Sequence, residues 1–371
     1  MTGREEIMNV PMSQLGFGLM RLPEKDGKID IEHTNRMVDA FIAGGGKYFD
    51  TAYVYHNGES EVALRECITK RYPRESFFAA DKLPSWMVKS PGDMLPIFEE
   101  QLKRTGLEYF DFYLIHAIDD KAYPALCEHG AFSFVQQLKA EGRARHIGFS
   151  YHGSAELLDK LLGEHPEMEF VQLQLNYFDV LEHGADQYYA IARKHGVPII
   201  VMSSVRGGML SRLPNHVRQV FAEVDPDASA ASWALRFAAG QEGVFCVLSG
   251  MSDIGQVEEN MPVFSPFVPL SEAEHAVVKR AAEALAAVPR ILCTACKYCV
   301  SCPAGVAIDE LFTLYNQYLE TADWGKFLEG LKEIPEDARA DKCIDCGACI
   351  EVCPQQLDIP ALLREVAANS K

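Results

Sequence analysis

The 371-residue sequence has no excess of positive charge, because 35 Lys and Arg residues stand against 53 Asp and Glu residues, a formal net charge of −18. Proteins that mainly bind nucleic-acid phosphates need a basic surface, and anionic membranes attract basic segments. We therefore expect neither nucleic acid nor membrane as a partner. The sequence also has no run of about 18 apolar residues, the length that a transmembrane helix requires. The first ten residues, MTGREEIMNV, contain acids and no apolar core, so they do not resemble a secretory signal and we expect a cytoplasmic protein.

Cysteine is scarce over the first 290 residues and concentrated after them. Only Cys67, Cys127 and Cys246 precede residue 290, and we expect them to be buried small hydrophobic residues. The other eight of the 11 cysteines lie between Cys293 and Cys353. A secreted disulfide-rich scaffold is shorter than this chain. Eight clustered thiols in a cytosolic chain instead indicate metal binding.

Short apolar runs alternate with longer amphipathic runs through the first 250 residues. Eight runs read as strands: 15–22, 48–52, 77–83, 110–116, 144–150, 170–176, 198–203 and 244–250. Helical stretches separate them: 31–43, 91–104, 132–140, 155–162, 185–194 and 229–239. Strands that alternate with helices form a parallel sheet, and eight units in about 250 residues favour a closed (β/α)₈ barrel of the α/β class. No strand is followed by G-x-G-x-x-G, which disfavours an open dinucleotide-binding sheet.

The composition changes near residue 271. Ser271 and Glu274 form the pattern of a capping box at the start of an alanine-rich helix, 271–288. A helical stretch, 309–332, separates the two cysteine runs, and a short helix, 360–368, follows them. We therefore expect a barrel domain over 1–270, a connecting helix over 271–289 and a small α-helical, ferredoxin-like domain over 290–371.

Each cysteine run ends in Cys-Pro and begins with cysteines separated by two residues. The second run matches the iron–sulfur pattern of two-cluster ferredoxins in full, whereas the first has two residues instead of three before its last cysteine. The ligands are Cys293, Cys296, Cys299 and Cys302 in the first run and Cys343, Cys346, Cys349 and Cys353 in the second. The spacing predicts two [4Fe–4S] clusters, with structural zinc or free thiols as alternatives, although zinc modules usually space their C-x₂-C pairs further apart. In two-cluster ferredoxins the fourth cysteine of a run ligates the other cluster. We therefore expect Cys353 to complete the first triplet and Cys302 the second.

Polar residues close successive strands of the predicted barrel. Asp50, Lys82 and His116 stand at the ends of three apolar runs, and Tyr55 follows Asp50 in the next loop. Chemistry in such barrels lies at the C-terminal strand ends. A tyrosine is a poor acid unless a neighbouring cation stabilises its phenolate, and an aspartate can hold that cation. These four residues can therefore form a proton donor, whereas the alternative is a buried Asp50–Lys82 salt bridge beside a core histidine.

The sequence resembles the aldo/keto reductase superfamily, in the bacterial subgroup with a C-terminal two-cluster domain. The motifs that carry the resemblance are FDTAYVY at 49–55, ADK at 80–82, YLIH at 113–116, IGFS at 147–150, VQLQLNY at 171–177, and GMS at 250–252 with Glu259 and Asn260. It implies an oxidoreductase that reduces a carbonyl, or oxidises an alcohol, with NAD(H) or NADP(H). Tyr55 would be the general acid/base, Asp50 and Lys82 would tune it, and His116 would orient the substrate.

The resemblance also implies a nicotinamide cofactor site. Ser150 and Gln172 would hold the nicotinamide amide, Glu259 and Asn260 would contact the adenine end, and Ser203 and Gly250 would also line the site. Gly250 and Gln256 replace the Lys and Arg that NADPH-specific members use. Without these cations we expect NADH to bind at least as well as NADPH.

Two other functions remain open. In one, the barrel is a scaffold and the clusters pass electrons to a partner protein. In the other, the clusters only hold the C-terminal segment together.

Overall fold

Eight parallel strands close into a barrel in the computed structural model, which describes residues 3–370. The strands are β1 Leu15–Gly18, β2 Glu24–Lys25, β3 Lys28–Ile29, β4 Tyr48–Asp50, β5 Phe78–Pro84, β6 Phe110–Ile118, β7 Ala144–Tyr151, β8 Phe170–Gln174, β9 Ile199–Met202 and β10 Val244–Ser249. Around the barrel the order is β1-β10-β9-β8-β7-β6-β5-β4, and β4 pairs with β1. The small antiparallel pair β2–β3 stands apart from the barrel. The predicted (β/α)₈ barrel is confirmed.

Helices follow most strands and begin at side-chain caps that the sequence encodes. Asp30 accepts a hydrogen bond from the His33 amide and starts the helix Ile31–Ala43, and Ser154 and Ser229 start the helices Ala155–Glu164 and Ala230–Ala239 in the same way. The helices up to the end of the barrel are α1 Gly3–Ile7, α2 Ile31–Ala43, α3 Glu59–Leu64, α4 Met94–Thr105, α5 Ala122–Glu128, α6 Ala131–Ala140, α7 Ala155–Glu164, α8 Tyr177–His183, α9 Ala185–Lys194, α10 Asn215–Ala222, α11 Ala230–Ala239 and α12 Ile254–Asn260.

The interior of the barrel is filled by large apolar side chains. Tyr48, Phe112 and Phe170 are fully buried there, and Ile7 of α1 belongs to the same cluster. Gly16 on β1 admits this packing, since a Cβ atom at that position would stand within 2.9 Å of side-chain atoms of Leu248, Cys246 and Tyr48. A larger apolar core lies between the strands and the helices around them. Cys67 and Cys246 are buried as expected, whereas the expectation for Cys127 is wrong, because that residue is exposed on α5.

The chain divides into two compact units. The first comprises Met1–Val205 and Asp227–Val278, and the second comprises Arg206–Pro226 and Lys279–Lys371. Within the second unit, the buried Arg206 donates to the Leu292 carbonyl and to Gln355, both at 3.4 Å. None of the helices in residues 3–370 combines the length and the apolar character that crossing a membrane requires.

The later helices differ from the sequence prediction within 309–332 and at the short helix Ala348–Glu351, which was not predicted. Ser271 and Glu274 do form a reciprocal cap, and the helix they start runs from Glu272. The single stretch expected over 309–332 is instead two helices, because Ala322 adopts φ 54° and Asp323 caps the next helix at Lys326. The helices are α13 Glu272–Ala286, α14 Ile308–Thr321, α15 Trp324–Glu333, α16 Ala348–Glu351 and α17 Ile359–Ala368.

Candidate active site and cysteine cavities

Three of the predicted catalytic residues lie together at the carboxyl ends of neighbouring strands. Asp50 ends β4, Lys82 lies near the end of β5, and His116 pairs with Pro84 between β5 and β6. Their exposed fractions are 2%, 0% and 3%. Buried ionisable groups require partners, so the contacts of each one define what the site can do.

Lys82 and Asp50 form a buried ion pair. The Lys82 Nζ atom is 2.6 Å from Asp50 Oδ1 and donates a second hydrogen bond of 2.6 Å to the Thr51 carbonyl. Burial raises the pKa of Asp50, and the charge of Lys82 opposes that shift. The pair holds one cation in a fixed place at the floor of the site.

Tyr55 lies above this ion pair in the loop after β4. The Lys82 Nζ atom is 5.0 Å from the centroid of the Tyr55 ring, and the His116 ring centroid is 6.0 Å away with the two rings nearly perpendicular. The two residues after Tyr55, His56 and Asn57, have φ values of 49° and 56°, a left-handed conformation that non-glycine residues rarely adopt. Such strained turns cluster at functional sites.

Contacts with the chain after β1 hold this strained turn. The Leu22 amide donates to Nε2 of His56 at 3.2 Å, and Nδ1 of His56 is 2.8 Å from Glu24 Oε1. These contacts fix the loop that carries Tyr55 to the chain segment that follows β1.

The surroundings of His116 favour its neutral form. Burial, and then the charges of Lys82 and His152, place the pKa of His116 well below its usual value. A neutral imidazole can donate a hydrogen bond to a carbonyl oxygen without bringing a second cation to Lys82. The Trp86 ring lies 5.2 Å from the His116 ring between centroids and is 39% exposed, so an aromatic surface borders the site.

Ser150 has a structural contact that the sequence did not reveal. Ala117, next to His116, adopts φ 53° where the pairing of β6 with β7 shifts register. The Ala117 amide donates to Ser150 Oγ at 2.7 Å, and the Ala117 carbonyl accepts a longer bond of 3.4 Å from Ser85. Ser150 therefore supports the irregular strand end that carries His116. Its hydroxyl proton is still available to a ligand.

The residues expected to hold a nicotinamide amide lie side by side. Ser150 and Gln172 are register partners between β7 and β8, and both are buried. The Gln172 amide nitrogen is 3.7 Å from the Met202 sulfur, while its Oε1 atom is buried and accepts no hydrogen bond. A buried acceptor without a donor beside a serine hydroxyl fits a ligand carboxamide.

The other expected cofactor residues lie directly after β9, directly after β10 and on α12. Ser203 adopts φ 57°, and its carbonyl accepts from Asn176 at 2.9 Å. Asn260 is buried and donates to Ser249 Oγ at 3.3 Å, whereas Glu259 is exposed on α12. Gln256 accepts from the Ser252 amide at 2.9 Å.

Arg21 is a cation beside Gly250 that the sequence analysis missed. A Cβ atom at Gly250 would stand 3.3 Å from the Arg21 Cδ atom, so the arginine side chain lies along the glycine. The closure of the predicted barrel could have indicated this contact, because β1 pairs with β10 and Phe17 lies opposite Ser249. Residues just after β1 therefore lie next to residues just after β10.

The eight clustered cysteines line two cavities in the second unit. Cys293, Cys296, Cys299 and Cys353 border one of them. The other cavity is bordered by Cys302, Cys343, Cys346 and Cys349, and Cys299 also lines it. The electrostatic interactions between thiols agree with this division. Besides burial, charges on Cys296, Cys293 and Cys353 raise the pKa of Cys299, and charges on Cys343, Cys302 and Cys346 raise the pKa of Cys349.

The donor set at each cavity fits a cluster with several irons. Burial raises the pKa of Cys293 to about 11 and that of Cys299 to about 12, and neighbouring thiols contribute to both shifts. Bound iron favours thiolate ligands and would reverse such shifts. Over residues 3–370, no group of three or more His, Cys, Asp or Glu side chains has a spacing suited to one metal ion.

Comparison with known proteins identifies the barrel. A sequence model of the Aldo/keto reductase family matches residues 14–283, which include every strand-end residue described above. The chain belongs to the aldo/keto reductase family. A second model, of the 4Fe-4S dicluster domain, matches residues 292–357 and covers both cysteine runs. The recognition made from the sequence motifs is confirmed for both parts of this reductase.

Similar proteins share the reductase part of the chain. The uncharacterized oxidoreductase YqkF of Bacillus subtilis is 23% identical over 286 residues, 68% of this chain and 87% of its own. An aldo-keto reductase of Mycolicibacterium paratuberculosis is 29% identical over 222 residues, 59% of this chain and 71% of its own.

Solved structures share the fold. The holo form of aldo-keto reductase AKR11C1 from Bacillus halodurans has a TM-score of 0.59 at 22% identity and covers 73% of this chain and 92% of its own. An aldo-keto reductase from Klebsiella pneumoniae in complex with NADPH has a TM-score of 0.59 at 19% identity, with coverages of 72% and 90%.

Proposed function

We propose that this reductase interconverts a carbonyl compound and its alcohol with a nicotinamide cofactor, NAD(H) or NADP(H), and with Tyr55 as the proton donor. The observation that carries the proposal is the buried Lys82–Asp50 pair, whose ammonium lies 5.0 Å from the Tyr55 ring centroid. A purely structural salt bridge has no need of a tyrosine and a histidine arranged over it.

A nicotinamide held by this chain would supply the hydride that the carbonyl carbon needs for reduction. Tyr55 donates its phenolic proton to the carbonyl oxygen, so hydride and proton together give the alcohol. The Lys82 cation stabilises the phenolate that remains, and Asp50 holds Lys82 in place. The neutral His116 donates a hydrogen bond to the same oxygen and orients it. In the opposite direction the Tyr55 phenolate accepts the proton.

Residues of this chain also suit the cofactor. Ser150 can donate to the carbonyl of a carboxamide, and the buried Oε1 of Gln172 can accept from its NH₂ group. Ser203, Gly250, Glu259 and Asn260 would line the remainder of the site. Arg21 supplies a cation beside Gly250, the position where NADPH-specific relatives have lysine.

The direct test is Tyr55→Phe, which removes the proton donor and keeps the ring. We expect carbonyl reduction to fall by about 10²–10⁴-fold, the range for a positioned general acid. Cofactor binding, followed by protein fluorescence, should be nearly unchanged because no cofactor contact is removed. Tyr53→Phe is the matched control, since that tyrosine contacts Arg104 rather than Lys82. Unchanged turnover in Tyr55→Phe would refute the proposed role.

The second part of the proposal concerns the dicluster domain, for which we propose two [4Fe–4S] clusters held by the two cavity sets. Nicotinamide moves two electrons as a hydride, whereas a cluster moves one, so direct exchange between them requires a converter such as a flavin. A second candidate function is therefore electron transfer with a partner protein. The exposed thiol of Cys346 and the 65% exposed Ile344 at one cavity favour it, because they bring that site to the surface.

A further inference from the structure

A second group of buried polar residues lies directly behind Lys82. Successive side chains of a strand point to opposite faces, so Asp81 points away from the ammonium site and toward the surrounding helices. Asp81, Glu61 of α3 and Gln101 of α4 are all 0% exposed. The outer face of a covered parallel strand is normally apolar, and a buried carboxylate without a partner is strongly unfavourable. Two carboxyl groups in this layer therefore require a specific arrangement.

One oxygen of Asp81 is satisfied by the chain around Lys82. Asp81 Oδ1 accepts from the Lys82 amide and from Gln101 Nε2, both at 2.8 Å. The same Gln101 nitrogen donates to the Lys82 carbonyl at 2.9 Å, and Gln101 Oε1 accepts from the Tyr113 hydroxyl at 2.7 Å. Both backbone polar groups of Lys82 are thus tied to Asp81 or to its partner.

One oxygen of Glu61 is likewise satisfied. Glu61 Oε2 accepts from Arg104 Nη1 at 2.8 Å, and this arginine also lies 4.4 Å from the Tyr53 ring centroid. The other two carboxyl oxygens, Asp81 Oδ2 and Glu61 Oε1, are buried, and neither receives a hydrogen bond from an N–H or hydroxyl donor. The two carboxyl groups are close enough to hydrogen-bond each other.

A single proton accounts for both remaining oxygens. If Asp81 carries it, Asp81 Oδ2 donates to Glu61 Oε1, and each buried oxygen has a partner. Arg104 pairs with Glu61 and also, at 3.1 Å, with the half-buried Glu100 of α4, while Lys82 pairs with Asp50. A second negative charge, on Asp81, would therefore have no cation of its own. The Tyr113 hydroxyl of β6 also faces the pair. Burial, and then the charges of Asp81 and Glu61, raise the pKa of Tyr113 well above its usual value. Burial, and then the charge of Glu61, likewise place the pKa of Asp81 well above its usual value.

We propose that Asp81 and Glu61 share one proton in the native protein, and that Asp81, as the neutral acid, is a positioning residue for Lys82. It fixes the main chain of β5 at the residue whose ammonium serves Tyr55. An ionised Asp81 would instead place an unmatched negative charge behind the Lys82–Asp50 pair. The structural half of this proposal stands on the two buried oxygens without a donor and on the approach of the two carboxyl groups to each other, and the positioning half rests on the proposed function.

The decisive variant is Asp81→Asn, which copies the shape and hydrogen bonds of the neutral acid. At a pH above about 4, the pKa of an aspartate in the unfolded chain, the wild type must take up a proton at Asp81 when it folds. The free-energy cost of this proton uptake increases with pH until the pH reaches the pKa of Asp81 in the folded protein. The amide variant has no such requirement. We therefore expect Asp81→Asn to melt above the wild type at pH 8, by at least about 2 °C, and the difference to shrink as the pH is lowered toward 6.

A matched control is Asp111→Asn. Asp111 is equally buried, but it accepts from Arg74 at 2.5 Å, from Arg145 at 3.1 Å and from the Ala79 amide at 2.9 Å, so all its partners are donors. We expect this variant to melt below the wild type at both pH values. The proposal is overturned if Asp81→Asn melts at or below the wild type at pH 8, or if the difference in melting temperature does not depend on pH. It is also overturned if the Asp81→Asn protein cannot be recovered folded.

Infrared spectroscopy gives an independent reading. The wild type should show the carbonyl stretch of a buried protonated carboxylic acid at pH 8, and Asp81→Asn should lack it. A spectrum that is the same in both proteins overturns the shared proton, whatever the enzyme assay shows.

The positioning role is tested by comparing two substitutions at one site. Asp81→Ala should lower kcat for carbonyl reduction by about tenfold or more, because the main chain at Lys82 loses its anchor. Asp81→Asn should restore most of that loss. If Asp81→Ala is as active as the wild type while the melting and infrared results hold, the positioning role is overturned and the shared proton is not. Loss of the proposed function itself would appear separately, as unchanged turnover in Tyr55→Phe.

Discussion

Lys82 is the residue on which the candidate active site depends most, because it links Asp50, the Thr51 carbonyl and the Tyr55 ring. Its 0% exposure means that removing it leaves a buried carboxyl without its cation. The chemical role and the stability role of this one side chain can nevertheless be separated by experiment.

We expect Lys82→Met to abolish carbonyl reduction and to lower the free energy of unfolding by about 3 kcal/mol, the effect of leaving one member of a buried ion pair alone. In Lys82→Met/Asp50→Asn the unmatched carboxylate is gone, so most of the stability should return while activity stays absent. Chemical denaturation and steady-state turnover measure the two effects. Lys139→Met, which breaks the ion pair with Glu169 on the helical layer, should retain activity. An active Lys82→Met enzyme would contradict this account.

Single residues at strand ends were predictable from the sequence, and their neighbours on the other face were not. The alternation of apolar and amphipathic runs fixes where a strand ends, so Asp50, Lys82 and His116 could be placed at one edge of the barrel. Asp81 is adjacent to Lys82 and faces the helices, where an apolar residue is the normal expectation. Its partner Glu61 comes from a helix about twenty residues earlier in the sequence. Only the three-dimensional contact shows that the two acids meet.

At the scale of one element, the end of β6 is shaped by a hydrogen bond from its neighbour. The Ala117 amide donates to Ser150 Oγ at 2.7 Å and holds a left-handed residue directly after His116. An alanine in this conformation gives no signal in the sequence, since glycine is the residue that usually marks it. The regular part of the strand could be predicted from its apolar run, and its irregular end could not.

We expect Ser150→Ala to lower the free energy of unfolding by about 1 kcal/mol, because a partly buried amide loses its acceptor. Ala117→Gly in the same protein should recover much of this loss, since glycine adopts the left-handed conformation without a steric penalty. Ser85→Ala is the matched control. Its hydroxyl reaches the same residue only at 3.4 Å, so its effect should stay within about 0.5 kcal/mol. Equal effects of Ser150→Ala and Ser85→Ala in chemical denaturation would argue against the support by Ser150.

The break between α14 and α15 is the element that the sequence analysis missed most clearly. Helical periodicity runs through 309–332, and neither glycine nor proline stands at the break itself. The chain turns at Ala322, and Asp323 accepts a hydrogen bond from the Lys326 amide at 3.0 Å. Asp is a good N-cap residue, but a cap within a continuous apolar pattern does not by itself outweigh that pattern. The second helix turns back so that its Phe327 packs against Tyr315 and Tyr318.

At the scale of the whole molecule, the chain combines a barrel of the aldo/keto reductase family with a dicluster domain, and both could be recognised from motifs. The cysteine runs could be recognised from their close spacing, because three cysteines of each run fall within seven residues. The assignment of the fourth cysteine of each run depends on contacts between the runs. Both cavities are bordered by cysteines from the two runs, which agrees with the exchange expected from the two-cluster pattern.

We expect the intact protein, prepared without air, to contain about eight iron and eight sulfide per chain. Cys302→Ala should alter the paramagnetic resonance signal of the cluster bound by Cys343, Cys346 and Cys349, although that triplet is some forty residues away in sequence. Cys293→Ala identifies the signal of the other cluster. Cys127→Ala is the control, because this thiol is exposed and borders neither cavity. A Cys302→Ala protein in which only the first triplet's signal changes would show that each run binds its own cluster.

The crossing of the two cysteine runs has a consequence for how the protein matures. In the proposed ligation each cavity takes one thiol from the distant run, so filling either one would close a loop that spans α14 and α15 and would carry the entropy penalty of that closure. Once the first cluster is in place, the thiols of the second set are already held near one another, and their effective concentration is high. Cluster insertion should therefore be cooperative. A cell short of iron would contain mostly chains with both clusters or with none, and few with only one.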